Sequence, residues 1–324
     1  MKKVISPITL AVIQSAILFN DSRAAGTVNA TLTNYATGIA NDTASSLAEF
    51  IAPTVPTGAQ RGQFKQFNDA NAFKIYNTAR AVGGAATRIE FNAEDANFNC
   101  KPQALAIAID DSERDPGADP MAIERAKIRT LVINTGTGHE AKVFDLIKSV
   151  KAATGSVGVW SSADNDPIAE IDAQIEAILT ATGQMPNRIA LGVGAWKVIK
   201  NHSKVLARQP GAVNQGVTMS QFAGMLLNPD IEVRVGVMSR DLSKVGKAGT
   251  KSNIVGNEVF IFIGSNNPTP YDPSFAKTFM PGYTAIAAVN EWRDDSCHSD
   301  MYETSWSEDI QVVSTICASR ITVS

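Results

Sequence analysis

Apolar positions recur at helical spacing over residues 119 to 155, DPMAIERAKIRTLVINTGTGHEAKVFDLIKSVKAATG. Ile128, Leu131, Val132 and Thr135 share one face, and Val143, Ile147 and Val150 continue it. Asp119 suits an N-cap, Pro120 the first helical position and Gly155 a left-handed C-terminal cap. Fully helical, this stretch would be about 50 Å long at about 1.5 Å per residue, long enough to be a spine on which other elements lie. Thr135-Gly136-Thr137-Gly138 interrupts it. Each internal glycine costs about 1 kcal/mol against alanine, so a kink or break is expected there, two helices joined by a glycine turn being the simpler alternative.

The pattern on either side differs. Residues 27 to 59 are rich in Thr, Asn and Ala, with Leu32, Tyr35, Ile39, Leu47, Phe50 and Ile51 as scattered anchors. Apart from a short helix at 43 to 50 they read as an extended arm that lies across another surface, or as a flexible tail. Residues 86 to 91 and 104 to 109 alternate with a period of two around a polar reversal at 92 to 101, which predicts a long projecting hairpin. After the spine, residues 166 to 181 form a capped helix with Ile168, Ile171, Ile175, Ile178 and Leu179 on one face and Gly183 at its end. Residues 188 to 197 read as a strand, a G-x-G turn and a helix. A helix is expected over 218 to 227 and strands over 231 to 237 and 257 to 263, giving a compact α/β unit at 187 to 273. Strands at 283 to 289 and 309 to 323 return to be covered by the spine.

Composition narrows the class. With 324 residues, 44% hydrophobic and 19% charged, the chain has ample core for one large or two modest domains. A net charge of -3 opposes tight binding to nucleic acid by counterion release, while leaving weak contact open. Cys100, Cys297 and Cys317 are distant and odd in number, so buried free thiols in a reducing compartment are expected rather than a disulfide framework. Residues 1 to 26 imitate a secretory signal: a basic start, an apolar run and small residues. Pro7 and Gln14 interrupt the run and no clean cleavage site follows, which favours a retained amphipathic segment docked on this chain or a second copy.

Chemistry is sparse. The three histidines, His139, His202 and His298, fall at no metal-ligand spacing, and Cys297-His298 are adjacent. Residues 110 to 119, DDSERDPGAD, have the wrong glycine position and no terminal glutamate for a calcium loop, so they read as a solvated acidic turn ahead of a helix. Gly192 and Gly194 imitate a dinucleotide fingerprint, but Lys197 stands where a third glycine belongs, and no strand–helix–strand unit with an acidic residue about twenty places on is expected. His139 and Glu140 are helix neighbours that do not face each other, which leaves them a packing or capping role. No catalytic, cofactor-binding or metal-ligating residue is assigned, which points away from an enzyme.

The order of parts resembles the major capsid protein of tailed bacteriophages, the Hong Kong 97-like shell subunit, from about Leu47 to the end. The residues that carry the likeness are LAEFIAPTVPTGAQRGQF (47 to 64), NTARAVGGAATRIEF (77 to 91), DDSERDPGADP (110 to 120), HEAKVFDLI (139 to 147), DPIAEIDAQIEAI with TGQMPNRIALGVGAWKVIKNH (166 to 202) and NPTPYDPSFAKTFM (267 to 280). The resemblance implies an α+β fold with an N-terminal arm (1 to 59), an extended hairpin or E-loop (60 to 118), a P-domain with the spine and second helix (119 to 186) and return strands (274 to 324), and an A-domain (187 to 273). It implies a structural protein that assembles into hexamers and pentamers of an icosahedral head around double-stranded DNA, met by weak non-specific contact. Separate scaffolding, portal and decoration proteins would be its partners, with no membrane. Its place would be the virion, after assembly in the bacterial cytoplasm. One branch cross-links a hairpin lysine to a neighbour's asparagine. Lys74, Lys101 and Asn290 are present, but nothing in their context marks such a bond. The alternatives are an encapsulin-like nanocompartment shell, a secreted or periplasmic binding protein if residues 1 to 26 are cleaved, and a nucleotide-dependent enzyme resting on Gly192 and Gly194.

Overall fold

The computed structural model describes residues 27–42, 46–67, 77–80, 82–86, 88, 94–114, 120–153, 159–208, 216–243, 247, 249–282 and 288–323. In chain order the elements are β1 (Thr27–Val28), α1 (Ala30–Asp42), α2 (Ala48–Ile51), β2 (Thr54–Thr57), β3 (Arg61–Gln66), β4 (Glu94–Asn99), β5 (Lys101–Asp110) and the spine α3 (Pro120–Val150). They continue with α4 (Pro167–Thr182), β6 (Arg188–Gly192), α5 (Val193–Asn201), α6 (Ser203–Leu206), α7 (Met219–Gly224), β7 (Glu232–Gly236), β8 (Ser239–Asp241) and β9 (Lys251–Asn253). The chain closes with β10 (Glu258–Phe262), β11 (Ala276–Pro281), β12 (Val289–Asp294), β13 (Ser299–Val312) and β14 (Ala318–Thr322).

The spine is one unbroken helix of 31 residues, so the expected break at Thr135 to Gly138 does not occur, and neither do two helices joined by a glycine turn. A Cβ at Gly136 or Gly138 would meet nothing within 4 Å, and the Thr135 and Thr137 hydroxyls donate back to the Leu131 and Ile133 carbonyls. The glycine penalty is outweighed because both halves are anchored. Ile128 and Val132 pack below the glycines and Val143, Phe144 and Ile147 above, each side chain contributing roughly 1.5–3 kcal/mol of burial. The helix stops at Val150, where the Arg320 guanidinium donates to the Lys148 and Lys151 carbonyls and neutralises the negative helix end. Asp119 and Gly155 lie outside the described residues.

Two sheets share this spine. The first has the order β1-β12-β13-β11-β2, with β5 beside β13. Along β13, Tyr302, Thr304, Trp306 and Glu308 are buried and alternate with half-exposed residues, so one face lies on α1 and α3. The second sheet, β14-β10-β6-β7, is covered by α4 and α5 on one side, where Ser319 meets Gln174 of α4. On the other side Phe144 of the spine packs on Phe260, and Phe50 of α2 packs on Phe262. Its strands β6 and β10 are buried throughout.

Several sequence expectations need correction. Residues 30 to 42 are a helix, not an extended arm: Leu32, Tyr35, Ala36 and Ile39 share a face against Ile123, Ile128 and Val132, and Asn29 Oδ1 caps the Leu32 N–H at 3.0 Å. Tertiary burial overrides the weak helix propensity of Thr and Asn. Among the described residues, the expected pairing of 86–91 with 104–109 is not seen. Strand β4 pairs β3, and β5 makes its ladder with β13 from Ser299↔Asp110 to Glu308↔Lys101. Ala86 and Arg88 are not in strand, while 87 and 89–93 lie outside the described residues. Alternation announces a strand but does not identify its partner. The expected single strand at 309–323 is two, because the chain leaves the first sheet after Val312 and β14 joins the second. A strand–helix–strand unit does exist, since β6 and β7 run parallel across α5 to α7. Helix α4 is as expected, with Asp166 accepting from the Ile168 and Ala169 N–H groups and Gly183 left-handed at φ 68°.

Candidate assembly surfaces

Strands β3 and β4 form a two-stranded ribbon whose side chains are mostly exposed or half-exposed. Its root is fixed by aromatic packing: the Phe64 and Phe98 rings lie 5.1 and 4.7 Å from Phe279. Gly62 is required there, because a Cβ would fall 2.6 Å from the Phe98 ring. The Lys65 N–H donates to the Pro270 carbonyl and the Phe67 N–H to the Val313 carbonyl, which tie the ribbon to the body. Beyond the root, residues 77 to 80 are exposed and Val82 is completely so. An exposed apolar side chain in the segment that links two ribbon strands is a surface that another molecule can cover.

The loop behind the root is held by a buried cation. Lys277 is 0% exposed, and its Nζ donates to the Thr269 carbonyl at 2.5 Å, the Asp272 carbonyl at 2.7 Å and Asp272 Oδ1 at 2.8 Å. All three ammonium protons are used, which makes burial of the charge tolerable. Burial pushes the Asp272 carboxyl up, but the Lys277 and Thr269 bonds prevail and hold it below its ordinary value. The sequence reading did not single out this role. The spacing of Asp272 and Lys277 in YDPSFAK was the available signal.

Strand β2 ends the first sheet, and its outer edge is blunted. Glu49 accepts from the Thr54 N–H at 3.0 Å and hydroxyl at 2.8 Å, while Pro56 has no N–H to offer. Beside it opens a cleft of about 520 Å³ lined by Phe50, Thr54, Arg188, Arg234, Ser265 and Asn266 among others. The Phe50 ring lies between two guanidiniums, Arg188 at 5.1 Å and Arg234 at 4.5 Å.

The residues weighed for chemistry make contacts within the fold. His139 Nδ1 lies 2.7 Å from Glu308 Oε2 and Lys142 Nζ 3.1 Å from Oε1, joining spine to β13. Burial pushes the Glu308 carboxyl up, but His139 and then Lys142 prevail and hold it at about 2. Glu140 points elsewhere, accepting from the Leu47 N–H at 2.8 Å, and burial raises its pKa. At Gly192 and Gly194 a Cβ would fall 1.9 Å from the Gly256 carbonyl oxygen or 1.7 Å from Asn257 Oδ1, so close packing explains both glycines. In the acidic turn, Asp111 pairs with Arg293 and Glu113 with Lys127, while 115–119 lie outside the described residues. Cys100 and Cys317 are buried, but Cys297 is exposed in the β12–β13 turn, contrary to expectation. Lys101 is exposed on β5, Asn290 donates to the Ser305 hydroxyl, and Lys74 lies outside the described residues. Among the described residues no His, Cys, Asp and Glu group could hold a metal, and no helix is long and apolar enough to cross a membrane.

No family model matches the chain. It is 26% identical over 261 residues, 78% of its length, to the "Major capsid protein" of Burkholderia phage BcepMu, covering 82% of that protein. Its fold matches a phage-related protein from Bordetella bronchiseptica RB50 with a TM-score of 0.71 at 22% identity, covering 92% of this chain and 98% of that one. A virus-like particle protein from Pyrococcus furiosus matches with a TM-score of 0.54 at 10% identity over 89% of this chain and 98% of the other. In sequence the chain is thus similar to a phage major capsid protein, and in architecture it has the α+β, Hong Kong 97-like shell fold that the resemblance implied.

Proposed function

We propose that the chain is a structural major capsid protein, not an enzyme, whose copies close into the hexamers and pentamers of an icosahedral phage head around double-stranded DNA. The observation that carries this reading is the likeness to a phage major capsid protein over most of both chains. The exposed ribbon supports it physically, because assembly would complete burial that one subunit leaves unfinished. Residues 1 to 59 serve as the arm, 60 to 118 as the extended hairpin, 119 to 186 with 274 to 324 as the P-domain, and 187 to 273 as the A-domain at the capsomer axis. Strand β5 lies in the sheet of the return strands and β14 in that of the A-domain, so these are roles of chain segments rather than separate folds. Separate scaffolding, portal and decoration proteins complete the head, which assembles in the bacterial cytoplasm and persists in the virion. The net charge of -3 fits weak contact with packaged DNA.

Size-exclusion chromatography followed by negative-stain imaging tests the reading. Closed megadalton particles are expected, and a monodisperse soluble monomer at every concentration would overturn it. Nuclease-protected nucleic acid inside the particles separates a phage head from an encapsulin-like compartment.

A further inference from the structure

The cleft beside Phe50 holds a charge that its own subunit leaves unanswered. Arg188 is 9% exposed and donates to the Phe50 carbonyl at 2.9 Å and to Asn266 Oδ1 at 2.6 Å, yet no carboxylate forms an ion pair with it among the described residues. The nearby acids are committed elsewhere. Both Glu49 oxygens are taken by Thr54, and Glu232 pairs with Arg234 on its own strand at 2.7 Å. A guanidinium so placed is costly unless an anion meets it. Ser265 adds a hydroxyl, and Phe50 with Pro53, Pro56 and Pro268 adds apolar walls, a lining that suits the methylenes and head of an acidic side chain better than a free oxyanion.

We propose that this cleft is a carboxylate socket for a second copy of the chain, and that the acid seated in it is Glu94 of the neighbour's ribbon. Glu94 is exposed at the last described rung of β4, opposite Gln66, and among the described residues it has no hydrogen bond or ion pair. Its neighbour Asp95 is already paired with Lys65 at 2.6 Å. Arg234, whose side chain is 46% exposed, stands at the rim and guides the acid in, while Arg188 meets it deeper. The socket rests on the shell reading and adds to it one defined charged contact between subunits.

A double-mutant cycle tests it: wild type, Arg234→Ala, Glu94→Ala and both together, with the swapped pair Arg234→Glu and Glu94→Arg. The readouts are the protein concentration at half-assembly and the urea midpoint of particle dissociation by light scattering. Circular dichroism of the separated subunits confirms that each variant folds. Each single change is expected to raise the half-assembly concentration about tenfold, the double to be no worse than either, and the swap to recover most of the loss. Additive singles, or a swap without recovery, would overturn the socket while leaving the shell reading intact. A wild-type protein that forms no particles would remove both.

Discussion

The two halves of the spine helix live in different surroundings. Its C-terminal half, with Val143, Phe144 and Ile147 all at 0% exposure, is embedded in the large core under β10 and α2. Its N-terminal half shares a small cluster with α1, β5, β12 and β13, where Ile123, Tyr35 and Ile107 are only partly covered. One continuous helix therefore joins a finished core to a thin one. Stability should be concentrated above the glycines and adaptability below them.

The largest effect expected is at the finished end. Phe144→Ala should cost about 3–5 kcal/mol in denaturant unfolding of the dissociated subunit, because the ring packs on Phe260 with no exposed surface. Leu32→Ala, at 2% exposure in the thin cluster, should cost about 2–3 kcal/mol, since α1 can settle toward the spine. Equal costs at the two sites would erase the contrast. Hydrogen exchange adds a check, with α1 amides expected to exchange faster than those of β10.

The junction between halves is sensitive to acid. Glu308 is held at about 2 against an ordinary 4.5 by His139 and Lys142, so its contribution is complete above pH 4.5 and is lost as pH falls toward 2. That contribution is roughly 2–3 kcal/mol, and Glu308→Gln should flatten the loss of stability across this window. An unchanged acid profile in the variant would remove Glu308 from this role. The smallest effect has the opposite sign. Gly136→Ala and Gly138→Ala should each stabilise by up to about 1 kcal/mol in thermal unfolding, since the added methyl meets nothing within 4 Å.

The difference between halves also explains what could be read from residues alone. Helix α4 and strands β6 and β10 carry their own signals: a capped isoleucine face in one, continuous apolar runs in the others. The spine was legible, but not its continuity, which depends on anchors at both ends. Helix α1 was hidden in Thr and Asn because its face is defined only by contact with Ile128 and Val132. Strand β13, with Glu, Ser, Trp and Asp among its buried and half-buried positions, has no apolar run to announce it. The cleft was illegible for a plainer reason: Arg188 and the Phe50 carbonyl it holds are 138 residues apart.

The last strand has a consequence for synthesis. Because β14 lies beside β10 and its Arg320 reaches the end of the spine, a ribosome must have released residues up to Thr322 before the second sheet acquires its outer border. Until then Glu258 has Lys148 of the spine but lacks its second cation, Arg320, and the row from Glu258 to Phe262 offers an open hydrogen-bonding flank. Strand β14 thus closes that flank and, through Arg320, fastens the second sheet to the end of the spine in the same step.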